Sequence, residues 1–375
     1  MRVAIVSESF LPTVNGVTNS VCRVLDRLAA EGHDAIVICP AAGAPARYAG
    51  FPVHQVPAVT YRQFPVGLPS PQVTRLLSEF KPDVLHAAAP FLLGAQAIAA
   101  ANRLGIPSVA VYQTDVAGYA RRNRLRLAAP VAWRLLKWVH DGATMTLAPS
   151  STSQADLEGA GVERVFRWGR GVDLERYHPN NRVAEKTRYL RELLSPDGEV
   201  VVGYVGRIAP EKQVERLRAL RYVPGIRVAV VGDGPALPAV RKELGTLPVA
   251  FLGRLAGEDL AAAYAALDIF VHTGTEETFG QTIQEAHASG LPVVAPRAGG
   301  PIDLVEHGVD GFLFATDHEL RQQVGSLIGD AGLRLRMGEA GRRAVLGRSW
   351  QVVCDELFEH YREAGVLARQ RIAVA

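Results

Sequence analysis

Short runs rich in β-branched residues alternate with amphipathic stretches along the whole chain, and the alternation runs through twice. Strand-length runs separated by helix-length ones are the signature of a parallel sheet with helices on both faces, so this rhythm limits the available folds more than any other feature. In the first half the expected strands are Arg2-Ser7, Ala35-Cys39, Val84-Ala87, Ser108-Val111 and Thr144-Ala148. Between the first two, Val17-Glu31 carries Val21, Val24, Leu25 and Leu28 at helical spacing, and Gly32 stands at the stop position. The rhythm restarts at Val200-Val205 and continues through Arg227-Gly232, Val249-Leu252, Ile269-His272 and Pro292-Ala295.

The expectation is an α/β chain of two doubly wound, Rossmann-like domains, residues 1–170 and 171–349, with the join between Gly171 and Pro196. A last helix, starting at Trp350 with Val353, Leu357 and Tyr361 on one face, returns to pack across the first domain as residues 350–375. A length of 375 residues with 48% hydrophobic and 21% charged side chains suits two such cores.

The longest uncharged apolar stretch, Pro90 to Ala101, is well short of the roughly 20 residues needed to cross a bilayer. The run Val3 to Val6 behind Met1-Arg2 is too short for a secretory signal, so a cytoplasmic protein is expected. Cys22, Cys39 and Cys354 show no paired spacing, which indicates neither a disulfide framework nor a zinc site. The net charge of +3 conceals an asymmetry: residues 1–170 carry 17 Lys and Arg against 11 Asp and Glu, while the remainder carries 24 against 27. A basic first half suits an anionic partner, either a membrane surface or a polyanion.

In open parallel sheets ligands sit beyond the carboxyl ends of strands, so the residues that follow strands carry the most information. After the first strand, Asn15-Gly16 opens a helix whose free amides suit a phosphate, and a plain turn and helix start fits as well. No G-x-G-x-x-G follows that strand, which disfavours a dinucleotide dehydrogenase. After Val200-Val205 comes Gly206-Arg207-Ile208-Ala209-Pro210-Glu211-Lys212, which places a guanidinium and an ammonium where both reach one anion; solvated surface cations are the bland alternative. After Ile269-His272 comes Thr273-Gly274-Thr275-Glu276-Glu277-Thr278-Phe279-Gly280-Gln281-Thr282-Ile283-Gln284-Glu285. Glu277 falls on the loop and Glu285 in the helix, two carboxylates suited to holding hydroxyls of a sugar and a ribose. Glu285 also reads as a helix-surface acid, although Ile283, Ala286 and Ala288 around it are apolar.

The run GRIAPEK, the segment ETFGQTIQE with its two glutamates, the following ASGLPVVAPRAGG and the linker GVDLERYHP together resemble the retaining glycosyltransferases of family GT4, which have the GT-B fold of two such domains facing across a cleft. The resemblance covers nearly the whole chain. Trp168-Gly169-Arg170-Gly171-Val172-Asp173 and Tyr112-Gln113-Thr114-Asp115 are similar to the actinobacterial GDP-mannose-dependent α-mannosyltransferases that act on glycolipids, and sulfoquinovosyl diacylglycerol synthases are similar in the same places.

That resemblance implies catalytic roles for Arg207 and Lys212 on the donor phosphates and for Glu277 on the sugar hydroxyls. It also implies Asn15 and Gly16 beside the diphosphate, Glu285 on the ribose, backbone phosphate donors at Phe279, Gly280 and Gln281, and Leu252 to Arg254 near the base. Many relatives carry a His where this chain has Gln113, and Gln cannot act as a general base; Gln113 and Asp115, with His86 and Tyr119, are placed on the side that orients sugar or acceptor. A lone His at a strand end such as His86 is as often structural. The implied reaction is a front-face, retaining transfer in which the leaving phosphate takes the acceptor's proton, without a protein nucleophile, a cofactor or a bound metal. No Asp-x-Asp triplet occurs, consistent with phosphate handling by side chains alone.

The stretch Tyr119 to Trp138 mixes six cations with two tryptophans and many aliphatic residues. It suits a helix on an anionic membrane, and a core helix with a basic exposed face is a close competitor. A nucleic acid is not expected, since no recognition motif accompanies the basic residues. The implied partners are a nucleotide sugar, a lipid or glycolipid acceptor, and the inner face of the plasma membrane. A UDP-sugar-dependent transferase is the enzymatic rival, and a nucleotide-sugar-binding protein without turnover the rival from another class.

Overall fold

The computed structural model of the protein describes residues 1–40, 43–61, 64–68, 70–113 and 129–374. It divides into two compact units, one formed by Met1–Arg170 with Trp350–Ala375 and the other by Gly171–Ser349.

The first unit is built on an eight-stranded sheet. Its strands are β1 (Arg2–Ser7), β2 (Asp34–Cys39), β3 (Arg47–Tyr48), β4 (Phe51–Gln55), β7 (Val84–Ala88), β8 (Ser108–Val111), β9 (Met145–Ala148) and β10 (Val165–Arg167), while β5 (Ala58–Tyr61) and β6 (Phe64–Gly67) pair as a separate antiparallel hairpin. The order is β10-β9-β8-β7-β1-β2-β4-β3, parallel except for the edge pair β3–β4. Successive residues of a strand face opposite sides, and here both sides are apolar. On one face Val3, Ile5, Val37 and Val109 pack with the helix Gly16–Ala30 and with Val353, Leu357 and Tyr361 of the last helix, Trp350–Val374. On the other, Ala4, Val6, Ile36 and Leu85 pack with the helices Pro71–Phe80 and Leu92–Leu104.

The last helix belongs to the first unit because its apolar face completes that core. Polar bonds seat it: Trp168 Nε1 donates to the Val353 carbonyl at 2.8 Å, and Arg27 forks onto Asp355 at 2.8 and 3.0 Å.

The second unit has six parallel strands, β11 (Val200–Val205), β12 (Ile226–Val231), β13 (Val249–Gly253), β14 (Ile269–Val271), β15 (Val293–Pro296) and β16 (Gly311–Phe314). Their order is β13-β12-β11-β14-β15-β16, so the winding reverses between β11 and β14. Val201, Val205, Ala229 and Phe270 face the helices Gly257–Ala266 and Gln281–Ala288, and Val202, Tyr204, Val228 and Ile269 face the opposite helical layer.

The unit boundary falls at the first residue of the expected joining region, and residues 171–196 belong wholly to the second unit. The helix Glu185–Leu194 and the turn before it are tied there by Asp268, which takes Arg182 at 2.6 Å and Arg191 at 3.0 Å. The sequence pattern passed over β3 to β6, β10 and β16, which are short or lie at sheet edges where alternation is weakest. Among the described residues no helix is long and apolar enough to cross a membrane.

Candidate active site

The winding reverses between β11 and β14, and open parallel sheets take their ligands beyond the carboxyl ends of the strands at such a point. The loops expected to carry chemistry leave from there: Gly206 and Arg207 follow β11, and His272 to Glu277 follow β14. The two loops are bonded together. Thr273 Oγ1 donates to the Lys212 carbonyl at 2.6 Å, Gln213 Nε2 donates to Thr275 Oγ1 at 2.8 Å, and a Cβ on Gly274 would stand 3.0 Å from the Glu211 carbonyl. Gly274 is thus small because the turn carrying Lys212 lies against it.

This docking brings Lys212 Nζ to 2.5 Å from Glu277 Oε2, with 21% and 18% of the two side chains exposed. Arg207, 59% exposed, pairs with Glu211. Each cation therefore has its own carboxylate, an arrangement the sequence reading, which directed both cations at one anion, did not contain. His272 sits beneath, its Nε2 3.6 Å from Glu277 Oε2; burial pushes its pKa down to about 4, so it is neutral at pH 7.

The Glu277 loop is held from its other side by Gly299-Gly300. Gly300 N donates to the Glu277 carbonyl at 2.7 Å, a Cβ on Gly299 would stand 2.5 Å from that oxygen, and one on Gly300 would stand 2.1 Å from the Phe279 carbonyl. Gly280, at φ 109°, turns the chain into the helix Gln281–Ala288 and places Phe279 in the core. Gln281 Nε2 donates to the Gly171 carbonyl at 3.0 Å, which leaves its Oε1 buried and without a partner. Half-buried Glu285 accepts a 2.8 Å bond from the Tyr264 hydroxyl. Burial pushes its pKa up to about 7 against the lowering effects of the Tyr264 bond and of Arg176. Leu252 is half-buried near the end of β13, and Arg254 just past it is exposed.

In the first unit Asn15 caps the helix Gly16–Ala30, its Oδ1 accepting from Val17 N and Thr18 N at 3.0 Å each, while its Nδ2 donates to Ser9 Oγ at 2.8 Å. Two of the amides counted as open to a phosphate are therefore occupied, which corrects the picture of a bare helix start. The Arg170 guanidinium lies over Gly16, where a Cβ would come within 2.6 Å of its Nη1, and Arg170 Nη2 donates to Gln113 Oε1 at 2.7 Å. Glu8, after β1, takes the amides of Phe91 and Gly94 at 3.1 and 3.0 Å, and burial raises its pKa.

His86 is not a substrate-orienting residue. Its ring is 1% exposed, its Nδ1 bonds the Tyr361 hydroxyl at 2.6 Å and its edge meets Trp168, so it joins β7 to the last helix. Burial pushes its pKa down to about 3. Asp115 and Tyr119, with the first half of the basic stretch, lie outside the described residues. The described part of that stretch is the helix Ala129–Gly142, on which Val131, Arg134, Leu135 and Trp138 form one exposed stripe. Arg170, Tyr264 and Glu8 have no role legible in the sequence because each bonds a partner distant in the chain.

Residues 14–176 match the family Glycosyltransferase Family 4, and residues 185–344 match Glycosyl transferases group 1. The chain is 47% identical to the GDP-mannose-dependent alpha-mannosyltransferase of Mycolicibacterium smegmatis, over 100% of both chains. It is 31% identical to the Sulfoquinovosyl transferase SQD2 of Arabidopsis thaliana, over 97% of this chain and 74% of the relative. In fold it is similar to the crystal structure of Anabaena Alr3699/HepE in complex with UDP, with a TM-score of 0.80 at 23% identity, over 97% of this chain and 100% of the other.

Proposed function

Because the chain belongs to glycosyltransferase family 4 and has the two Rossmann-like domains of the GT-B fold, we propose that it moves mannose from GDP-mannose, with retention, onto a lipid-borne acceptor at the cytoplasmic face of the plasma membrane. The observation that carries the reading is the cationic and acidic cluster at the β11–β14 switch point, where Arg207, Lys212 and Glu277 leave neighbouring strand ends on loops bonded to one another. Identity of 47% to a GDP-mannose-dependent relative over the full chain supports the donor.

In this reading the second unit holds the donor and the first the acceptor. Arg207 and Lys212 exchange Glu211 and Glu277 for the diphosphate, and their charge offsets the negative charge that grows on the leaving group. Glu277, released by Lys212, takes hydroxyls of the sugar. Glu285, oriented by Tyr264, takes the ribose. The leaving phosphate accepts the acceptor's proton, so Gln113 orients and does not titrate. Phosphate handling falls to side chains, with no metal or cofactor required.

The acceptor's lipid character and the membrane are supported by the basic first half and by the exposed stripe of Val131, Leu135 and Trp138 around Arg134. Cosedimentation with vesicles tests this, and equal binding to neutral and anionic lipid would remove the electrostatic part.

The donor is tested by thermal stabilisation with a panel of nucleotide sugars, followed by transfer of labelled sugar to a membrane lipid extract. GDP-mannose is expected to raise the melting temperature most. Greater protection by a UDP-sugar would favour the rival reading, a UDP-sugar-dependent transferase, to which the 31% identity with the sulfoquinovosyl transferase lends weight.

A further inference from the structure

Gln113 follows Tyr112 beyond the carboxyl end of β8, and its side chain is buried, with 8% exposed. A carboxamide ordinarily has two orientations that exchange its oxygen and nitrogen. Here the orientation is decided by chemistry, because a guanidinium carries only donors, so the group facing Arg170 Nη2 at 2.7 Å must be the oxygen. The amide nitrogen is left with its hydrogens, buried and without a hydrogen-bond partner. A buried donor in that condition costs free energy, and its retention calls for an explanation such as an acceptor that arrives with a ligand.

We infer that Arg170 is a positioning residue that locks the Gln113 carboxamide with its nitrogen free to donate to a hydroxyl oxygen of a sugar substrate. The inference deepens the proposed function and rests on its choice of a nucleotide sugar. It also gives Gly16 a second role. A Cβ there would stand 2.6 Å from Arg170 Nη1, so the bare Cα leaves room for the guanidinium to lie where it reaches Gln113. The obstruction would come from the tip of a flexible side chain and not from backbone. Gly16→Ala therefore displaces Arg170 at little cost to the fold.

The chemistry asks for an acceptor atom and forbids a donor-only group. A sugar hydroxyl on the donor meets that demand, and so does one on the acceptor. Four variants and two probes separate these sources. Gln113→Glu keeps the size of the side chain and an oxygen for Arg170, but loses the donor. Arg170→Met frees the amide to turn, Arg170→Lys restores a donor to its oxygen, and Gly16→Ala moves the guanidinium without removing it.

The first probe is the extra thermal protection that GDP-mannose gives over GDP. The second is the KM for n-octyl α-mannoside as acceptor at saturating GDP-mannose. Gln113→Glu and Arg170→Met are each expected to lower kcat/KM about 10-fold or more with protection by GDP unchanged, Gly16→Ala to lower kcat/KM likewise, and Arg170→Lys to recover part of the loss. Loss of the extra protection by GDP-mannose assigns the contact to the donor sugar. A raised KM for the octyl mannoside with that protection intact assigns it to the acceptor sugar, and both results support the inference. Wild-type kcat/KM in folded Gln113→Glu, or in Arg170→Met, overturns it. The donor reading is judged separately, on the wild-type protein: it fails if GDP-mannose protects no better than GDP, and the variants are then compared on whichever nucleotide sugar is turned over.

Discussion

Lys212 Nζ and Glu277 Oε2 stand 2.5 Å apart although 65 residues separate them in the chain, and the contact exists because β11 and β14 are neighbours whose following loops are bonded together. Glu277 holds the charge that the proposed reaction needs for phosphate. The same carboxylate keeps the ammonium in place, and in the proposed reaction a diphosphate takes its position.

Removal of that ammonium is accordingly expected to damage turnover more than folding. Lys212→Met should lower kcat/KM by about 10²-fold or more through lost stabilisation of the leaving group. Steady-state kinetics alongside a melting curve checks it, and a folded variant with unchanged kcat/KM would argue against the switch-point cluster as the active site.

Gly300 offers a test of how the Glu277 loop is held. A Cβ there would stand 2.1 Å from the Phe279 carbonyl, and an obstruction by backbone cannot be relieved by rotating a side chain. Gly300→Ala is expected to cost roughly 1–3 kcal/mol by overpacking, and to reduce activity by displacing Glu277. Urea midpoints and kcat/KM report the two effects, and a variant equal to the wild type in both would show that the loop yields freely.

Glu285 predicts a pH dependence with a definite sign. Its folded pKa, raised to about 7, lies above that of an ordinary carboxyl, so between roughly pH 4.5 and 7 the folded state binds the extra proton. Its contribution therefore favours the folded state below pH 4.5 and is lost as pH rises through 7. Glu285→Gln should thus gain roughly 1–3 kcal/mol relative to wild type between pH 5 and pH 8, while binding nucleotide sugar less well. Melting temperatures of the two proteins across that range provide the comparison, and a constant difference would contradict a raised pKa at Glu285.

Chelation tests the proposed absence of a metal from the reaction. Turnover is expected to survive EDTA, since the cations assigned to the diphosphate are side chains. Loss of activity that Mg²⁺ restores would reassign part of the phosphate handling to an ion.

Much of this protein is legible from its sequence. The β-branched runs mark the long central strands because a strand buried on both faces must be apolar at nearly every position, as Val200 to Val205 is. Arg207, Lys212, Glu277 and Glu285 stand out because charged residues directly after strands, or within an apolar helix, call for a purpose. Their partners do not stand out. Glu211 for Arg207, Glu277 for Lys212 and Tyr264 for Glu285 follow from how loops and helices lie against each other. His86 shows the same limit: a strand-end histidine fits a ligand site or a core equally well until Tyr361, 275 residues on, is seen to bond it.

The sequence alone determined the two sheets, the helices that cover them and the strand ends where chemistry collects, because periodicity and turn residues act between neighbours in the chain. Only the tertiary structure decided which carboxylate holds which cation, that Gly299 and Gly300 are small because the Glu277 loop presses on them, and that Arg170 turns the Gln113 amide. Hydrogen bonds and close contacts between remote segments depend on distances of a few ångström that no local pattern encodes.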